Sequence, residues 1–493
     1  MSPRWFRSVS MQMRCVRFRL FLAALLVLGL CAGCGGGSSS VTSYTGAGTA
    51  ATTVTLATPT GINTTEVMVD SGPAGFSLGA ANVPYVTVTV CAPNAGPCVT
   101  IDHVFLDTGS YGLRLLKSKV ASLSLPALTL AANPQFNTPA GTAVECYPFV
   151  LGGVWGPLAQ ADVHMAGEAA TAIPIQVIDD SVNVALTAPA DCVAAAGGTL
   201  FSSAATLQAN GILGIGMVPY DCGLTCTSPL NYAGFHVQYY VCPDSLTANC
   251  QAAAINTAQQ AQNPVAHFVP SDGNLPPDNN GTIISLPALS PIGAGVATGR
   301  LVFGIGTRSN NQISVGAKVI MADPNPYIST TTTGSTSASS ATPTCTPSAT
   351  TTCTSNPGYL YFTTTVGSSS FPDSYIDSGS NAYFFNNTGI SQSCKSSLGS
   401  ATTGGWYCPP GTAPVALSAS LSDAMGNTAP ANFSIANADA LFSTSSTAFD
   451  NLGGSITQAP QTFVWGLSFF FGRAVYTSIW GQALSLNGPW NAF

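Results

Sequence analysis

The feature of this chain that most constrains its fold is a short motif that occurs twice, once in each half. Asp107–Ser110 reads Asp-Thr-Gly-Ser, and Asp377–Ser380 reads Asp-Ser-Gly-Ser. Each copy follows an apolar, strand-like run, Val104–Leu106 before the first and Ser374–Ile376 before the second. A carboxylate on a glycine turn at a strand end is placed for chemistry. The repeat therefore predicts two similar β-rich halves, each of which presents one carboxylate.

Each motif is followed, after a long stretch, by two apolar residues and a glycine, Ile212–Gly214 in the first half and Val464–Gly466 in the second. In their order and pairing these elements resemble the pepsin-like aspartic proteases. Gly299–Gly306 and Trp465–Thr477 are similar to further segments of that family's second lobe. The resemblance covers residues 83 to 480. It implies an all-β, bilobal fold with two pseudo-equivalent β-lobes and a cleft between them.

The resemblance also implies a catalytic pair, Asp107 and Asp377, that hydrolyses peptide bonds as an aspartic endopeptidase does. Two carboxyl groups flanking one water molecule cannot both ionise and therefore share a proton. One would take a proton from the attacking water, and the other would hydrogen-bond the carbonyl oxygen of the peptide. We expect coupled titration and an acid-shifted pH optimum. The supporting residues implied in the two loops are Thr108, Gly109, Ser110, Ser378, Gly379 and Ser380.

Two features depart from the pepsin-like pattern and leave an alternative open. Arg114 stands where the first lobe of that family has Trp, so we expect this cation either to pair with Asp107 and depress its pKa or to bind an acidic substrate. A hairpin is predicted over residues 147–178, with Gly152 and Gly153 as its turn and Trp155 near its tip. The family's flap Tyr-Gly is not recognisable there. The alternative is a catalytically silent envelope lipoprotein that uses the same cleft to bind peptide or glycan.

The N-terminal segment predicts export and lipid anchoring. Five arginines precede the apolar run Leu20–Leu30, which is too short to span a membrane and is typical of a secretory signal. Leu30–Cys34 and the Gly/Ser tract after it resemble a bacterial lipoprotein signal with lipidation at Cys34, although Cys31 replaces the usual Leu. An ordinary cleaved signal peptide is the alternative. Because Gly35 follows Cys34, the resemblance implies an outer-membrane lipoprotein facing the periplasm or the surface.

The charge balance excludes one class of partner. Without the five arginines ahead of Cys34, 8 of the 13 cationic residues remain against 20 acidic residues, a formal charge of −12. Such acidity argues against a nucleic-acid partner. We expect a peptide or protein substrate, a membrane reached only through the lipid on Cys34, no cofactor or metal, and a monomer.

Cysteine usage fits an oxidising compartment. Of the 15 cysteines, 12 follow Cys34, an even number as expected for disulfides. Zinc is disfavoured because no Cys-x₂-Cys pair or nearby His accompanies them. Short separations predict the pairs Cys91–Cys98, Cys222–Cys226, Cys242–Cys250, Cys345–Cys353 and Cys394–Cys408, with Cys146 and Cys192 left to pair.

The predicted domain layout has four parts: a signal peptide over 1–33, a Gly/Ser/Thr-rich tether over 34–60, an N-terminal β-lobe over 61–262 and a C-terminal β-lobe over 263–493. A Cys-rich insertion at residues 219–264 lies between the lobes, and a Thr/Ser-rich loop occupies 329–357. Asp221–Cys226, beside the Gly-Ile-Leu-Gly-Ile-Gly run, also resembles an uncharacterised family of Gram-negative lipoproteins. That second resemblance implies no activity.

Overall fold

β-Strands form nearly all the regular structure of the computed structural model, as the runs rich in valine, threonine and isoleucine predict. It describes residues 62–73, 81–181, 188–227, 238–243, 249–322 except 272 and 274, 327–330 and 353–355, 361–394 except 393, 405–482 and 489–493. Within these residues no α-helix exceeds six residues, so the predicted all-β fold is confirmed. No helix among them is long and apolar enough to cross a membrane. The predicted signal peptide, Cys34 and the tether lie outside the described residues.

The strands in chain order are β1 Thr64–Val69, β2 Pro84–Cys91, β3 Cys98–Asp107, β4 Tyr111–Leu116, β5 Thr129–Leu130, β6 Gly141–Phe149, β7 Gly152–Met165, β8 Glu168–Ile178, β9 Gly211–Ile215, β10 Tyr239–Cys242, β11 Gln251–Ala252, β12 Val269–Pro270, β13 Gly281–Ser285, β14 Ala297–Phe303, β15 Val319–Met321, β16 Tyr327–Thr330, β17 Cys353–Ser355, β18 Phe362–Val366, β19 Ser369–Ile376, β20 Tyr383–Phe384, β21 Val415–Ser422, β22 Thr428–Ile435, β23 Gly453–Gly454, β24 Thr462–Trp465, β25 Ala474–Ser478 and β26 Trp490–Ala492. The helices are α1 Lys117–Val120, α2 Ala190–Ala195, α3 Ala204–Leu207 and α4 Ala438–Phe442, with 3₁₀ turns at Gly223–Thr227, Thr257–Gln259, Pro264–His267 and Leu467–Phe469.

The two motifs belong to different sheets. A seventeen-stranded sheet contains β1 to β15, β25 and β26, and a seven-stranded sheet contains β18 to β24. The larger sheet takes strands from distant parts of the chain, since β1 pairs with β14 and β13 pairs with β25. All described residues belong to one compact unit, 53–493. The predicted lobe limit at residue 262 stays a prediction, and strands from both sides of it share the sheet of Asp107.

The same strand arrangement surrounds both motifs. In the larger sheet β3, which ends at Asp107, pairs antiparallel with β2 and parallel with β9. Strand β9 pairs antiparallel with β4, which in turn lies parallel to β8. In the smaller sheet β19, which ends one residue before Asp377, has β18 and β24 in the corresponding places, and β20 and β23 follow. The repeat predicted from the motifs therefore extends to five strands in each half.

One apolar cluster supports the strands that lead to both motifs. It includes the fully buried Leu106 and Leu213 of the first half and Phe463 and Trp465 of the second. The rings of Phe463 and Trp465 stack with centroids 4.4 Å apart. Each such side chain contributes about 1.5–3 kcal/mol on burial. The core therefore fixes the strand ends from which the two motif loops start.

Five of the predicted disulfides are formed. They are Cys91–Cys98, Cys146–Cys192, Cys222–Cys226, Cys242–Cys250 and Cys394–Cys408. Four close short loops, and the fifth ties β6 to α2 across 46 residues. The predicted Cys345–Cys353 pair cannot be placed, because Cys345 lies outside the described residues.

The predicted hairpin exists, but its turn is not at Gly152 and Gly153. Strands β6 and β7 pair from Val144 opposite Pro157 to Phe149 opposite Gly152, which leaves Val150 and Leu151 as the turn. Both turn residues are exposed. Trp155 lies opposite Cys146, well inside the hairpin, and is buried against Tyr240. The glycines serve packing instead, since a Cβ on Gly152 would lie 2.6 Å from the ring of Phe201.

Candidate active site

The two motif loops face each other across the junction of the two sheets, and their glycines allow the approach. A Cβ placed on Gly109 would lie 2.6 Å from Oδ1 of Asp377, and a Cβ on Gly379 would collide with Oδ1 of Asp107. Each glycine therefore borders the carboxylate of the opposite loop. The structure thus brings together the two aspartates that the sequence predicted as a pair.

Reciprocal hydrogen bonds join the second residues of the motifs. The backbone N–H of Thr108 donates to Oγ of Ser378 at 3.0 Å, and the backbone N–H of Ser378 donates to Oγ1 of Thr108 at 2.9 Å. The Ser378 hydroxyl donates in turn to the carbonyl oxygen of Leu106 at 2.8 Å. Ser378 is fully buried. Because both loops depend on the same bonds, neither aspartate is positioned independently of the other.

Within each loop the carboxylate receives the same two hydrogen bonds. Oδ1 of Asp107 accepts from the backbone N–H of Gly109 at 2.7 Å, and its Oδ2 accepts from the hydroxyl of Ser110 at 2.5 Å. In the second loop Gly379 donates to Asp377 Oδ1 at 2.7 Å, and the Ser380 hydroxyl donates to Oδ2 at 2.6 Å. These donors fix the orientation of each carboxylate, and the supporting roles predicted for these residues stay predictions.

The two carboxyl groups hydrogen-bond to each other, and the pair retains a proton to unusually high pH. Burial is the largest cause, and the neighbouring negative charge of Asp107 is the second; together they raise the pKa of Asp377 to about 8. Asp107 and Asp377 are 6% and 8% exposed, so water screens this interaction little. A carboxyl group that keeps its proton at Asp377 can act as an acid directly beside the second carboxyl group. The raised pKa of Asp377 agrees with the coupled titration expected from the sequence, and the acid-shifted pH optimum stays a prediction.

Arg114 neither pairs with Asp107 nor meets solvent, which corrects the prediction made for it. The side chain is fully buried, and its Nη2 lies 2.6 Å from Glu145 Oε1 and 3.4 Å from Asp221 Oδ1. Its guanidinium also lies 3.7 Å from the ring centroid of Tyr147. An enclosed cation of this kind cannot bind an acidic substrate. The sequence identified the unusual residue but not its partners, because they lie 31 and 107 positions further along the chain.

Asn82 is a residue near the second motif that the sequence did not reveal. It has a left-handed backbone (φ 56°) and is almost fully buried. Its side-chain amide donates to the carbonyl oxygens of Asn381, directly after the second motif, and of Phe449 at 2.8 and 2.7 Å. Its Oδ1 accepts from the backbone N–H of Phe449 at 2.6 Å. An asparagine between two apolar runs predicts a turn, and nothing in the sequence indicates partners some 300 residues away.

Two further features of the described residues add nothing to this site. Cys394, Cys408 and Asp439 lie close enough together for a metal, but the two cysteines form a disulfide and offer no thiolate. A cavity of about 390 Å³ lies between the loop after β5 and the Cys-rich insertion. No ionisable residue lines it, so it offers no acid or base for catalysis.

Comparison with known proteins gives a family and a distant structural likeness. A family profile described as "Protein of unknown function (DUF3443)" matches residues 59–346 and 341–493. No curated protein matches the chain. Among solved structures, the chain is similar to the aspartic proteinase from Irpex lacteus, with 12% identity and a TM-score of 0.40 over 87% of this chain and 96% of that one.

Proposed function

Since this chain belongs to the DUF3443 family, which is described only as being of unknown function, we propose its activity from the site itself: it is an aspartic endopeptidase. The observation that carries the proposal is the buried, proton-sharing pair Asp107 and Asp377 on two loops of equal construction. Evenly supported carboxyl groups of this kind supply a base and an acid at one point. Hydrolysis of a peptide bond needs both.

The reaction follows from the protonation of the pair. Ionised Asp107 takes a proton from a water molecule as the water oxygen bonds to the peptide carbonyl carbon, and Asp377 gives its proton to the carbonyl oxygen. In the resulting diol, Asp107 passes its proton to the amide nitrogen while Asp377 recovers one from a hydroxyl. The carbon–nitrogen bond then breaks, and the pair returns to its starting state. The hydroxyl groups of Ser110 and Ser380 donate hydrogen bonds that keep the carboxyl groups in position during both steps.

Cleavage of a mixed peptide library by the detergent-solubilised full-length protein tests this proposal. The active pair holds one proton, so cleavage should persist at neutral pH and fall as pH rises through about 8, where Asp377 loses its proton. Product formation followed by mass spectrometry across this range gives the profile. If folded protein cleaves no peptide at any pH, the better hypothesis is the alternative function, in which the site binds peptide or glycan without hydrolysing it.

Export and anchoring form the other part of the proposal. We propose a monomeric lipoprotein of a bacterial outer membrane that faces the periplasm or the surface. It acts on peptides or proteins and is anchored to the membrane by a lipid on Cys34. Support comes from the signal-like segment before Cys34 and from the five disulfides, which suit an oxidising compartment.

The lipid anchor predicts a clear result in cells. Protein expressed with an alkyne-labelled fatty acid should carry the label and sediment with membranes, and Cys34→Ala should lose the label. Cys31→Ala is the matched control and should keep it. A labelled Cys34→Ala protein, or an unlabelled wild type, would contradict lipidation at this residue.

A further inference from the structure

A buried charge cluster adjoins the chain that follows the first motif. Arg114 lies on β4, Glu145 on β6, and Asp221 in the Cys-rich insertion at 219–264. The guanidinium contacts both carboxylates, at 2.6 and 3.4 Å. Tyr239 on β10 donates its hydroxyl to Oδ2 of Asp221 at 2.9 Å. All four side chains are at most 5% exposed, so one cation and two acids are enclosed together.

The cluster is neutral when one acid keeps its proton. Burial and the adjacent Glu145 raise the pKa of Asp221 well above its usual range, although Arg114 and Tyr239 act to lower it. The side chains of Asp221 and Glu145 hydrogen-bond to each other. Buried ionic groups of this kind seldom add net stability relative to an apolar core. The contacts that these groups make therefore indicate their role better than their contribution to stability does.

Arg114 reaches back to the backbone directly after the first motif. Its Nη1 donates to the carbonyl oxygen of Tyr111 at 2.5 Å and lies 3.4 Å from that of Gly112. Gly112 has a left-handed backbone (φ 99°), and a Cβ there would lie 3.2 Å from the same Nη1. The residue before Tyr111 is Ser110, whose hydroxyl donates to Asp107. The guanidinium is thus linked to the catalytic carboxylate through two residues.

We propose that Arg114 is a positioning residue for Asp107 and that the Cys-rich insertion completes its setting by supplying Asp221. This inference rests on the proposed function. The insertion contributes Asp221 and Tyr239, which stand beside the disulfides Cys222–Cys226 and Cys242–Cys250. Strand β10 of the insertion also pairs with β6, which carries Glu145. The insertion therefore supplies part of the buried surroundings of the Arg114 guanidinium.

The test is the double variant Arg114→Met/Glu145→Gln, which removes one basic and one acidic side chain from the cluster and leaves Asp221 in place. We expect kcat to fall about tenfold to a hundredfold with KM nearly unchanged, because Asp107 is displaced but substrate contacts remain. We also expect the apparent pKa of Asp377 to fall by about one unit as Asp107 moves away. Carbon NMR of labelled aspartates measures that pKa without any substrate.

A second buried cluster in the chain provides the matched control. Arg308 contacts Asp278 and lies 3.6 Å from Glu168, and both acids are fully buried. Arg308→Met/Asp278→Asn makes the equivalent change there. This variant should lose stability to a similar degree but leave kcat and the pKa of Asp377 unchanged.

The outcomes separate the two proposals. If the Arg114 double variant behaves as the Arg308 control does, the cluster is only structural and the positioning role is wrong. If wild-type protein cleaves nothing, the proposed function fails, yet a shifted pKa of Asp377 still supports positioning. Should the double variant not fold, Arg114→Lys keeps the charge without the two-pronged geometry. Its kcat and the Asp377 pKa should then fall, and unchanged values would overturn the inference.

Discussion

Replacing either aspartate of the pair is expected to lower peptide cleavage by at least about 1,000-fold. Asparagine keeps the shape of Asp107 and most of its hydrogen bonds, but it cannot take a proton from water. Asparagine in place of Asp377 can donate a hydrogen bond but cannot give up its proton to the carbonyl oxygen. Rates of peptide cleavage by Asp107→Asn and Asp377→Asn, measured at neutral pH, provide the comparison.

The control for this pair is Asp373→Asn. Asp373 lies on β19, four residues before Asp377, and is partly exposed. It carries the same side chain on the same strand but has no part in the pair, so its loss should leave cleavage near the wild-type rate. Retention of more than about a tenth of the activity by either pair variant, with its fold intact, would refute catalysis by two carboxyl groups.

Asp377 is also expected to make the folded protein less stable as pH rises. Below about pH 4 both the folded and the unfolded chain hold this proton, but between about pH 4 and 8 only the folded chain does. Each rise in pH therefore lowers the free energy of the unfolded state relative to the folded state. The free energy of unfolding falls by about 1.4 kcal/mol per pH unit. Above about pH 8 both states have lost the proton, and the contribution stops changing.

Chemical denaturation of wild type and Asp377→Asn over this pH range isolates the effect. Burial also raises the pKa of Asp221 and takes that of Asp450 to about 6, so wild-type data alone combine several groups. The difference between the two proteins reports Asp377. We expect the variant to become the more stable protein by several kcal/mol near pH 8. A difference that does not vary with pH would mean that the carboxyl groups do not share a proton.

The sequence predicted what repeats or lies close together along the chain. The two motifs and the later segments Ile212–Gly214 and Val464–Gly466 predicted two similar β-rich halves, because the same elements recur in the same order in each half. Cysteine pairs such as Cys91–Cys98 and Cys242–Cys250 were found from spacing alone, since short loops bring their ends together at little entropic cost. Once the short-range pairs were assigned, only Cys146 and Cys192 remained, and these two cysteines do form a disulfide.

What the sequence did not predict depends on long-range packing. The turn at Val150 and Leu151 lacks glycine, whereas Gly152 is required by the ring of Phe201; local turn preferences therefore pointed to the wrong residues. The partners of Arg114 come from two other segments, so its burial could not be inferred from its neighbours. The raised pKa of Asp377 likewise follows from burial, which only the assembled fold determines.

The reciprocal bonds between Thr108 and Ser378 also determine when the two aspartates can come together. They join residues 270 positions apart, and the strand β24 beside Asp377 ends only at Trp465. Contacts of such long separation form late in folding, whereas four of the five disulfides close loops of at most 14 residues and can form early. A chain that has been made only through its first half holds the first motif without the second. Under the proposed function, such an incomplete chain cannot cleave peptides, because it lacks one carboxyl group of the pair.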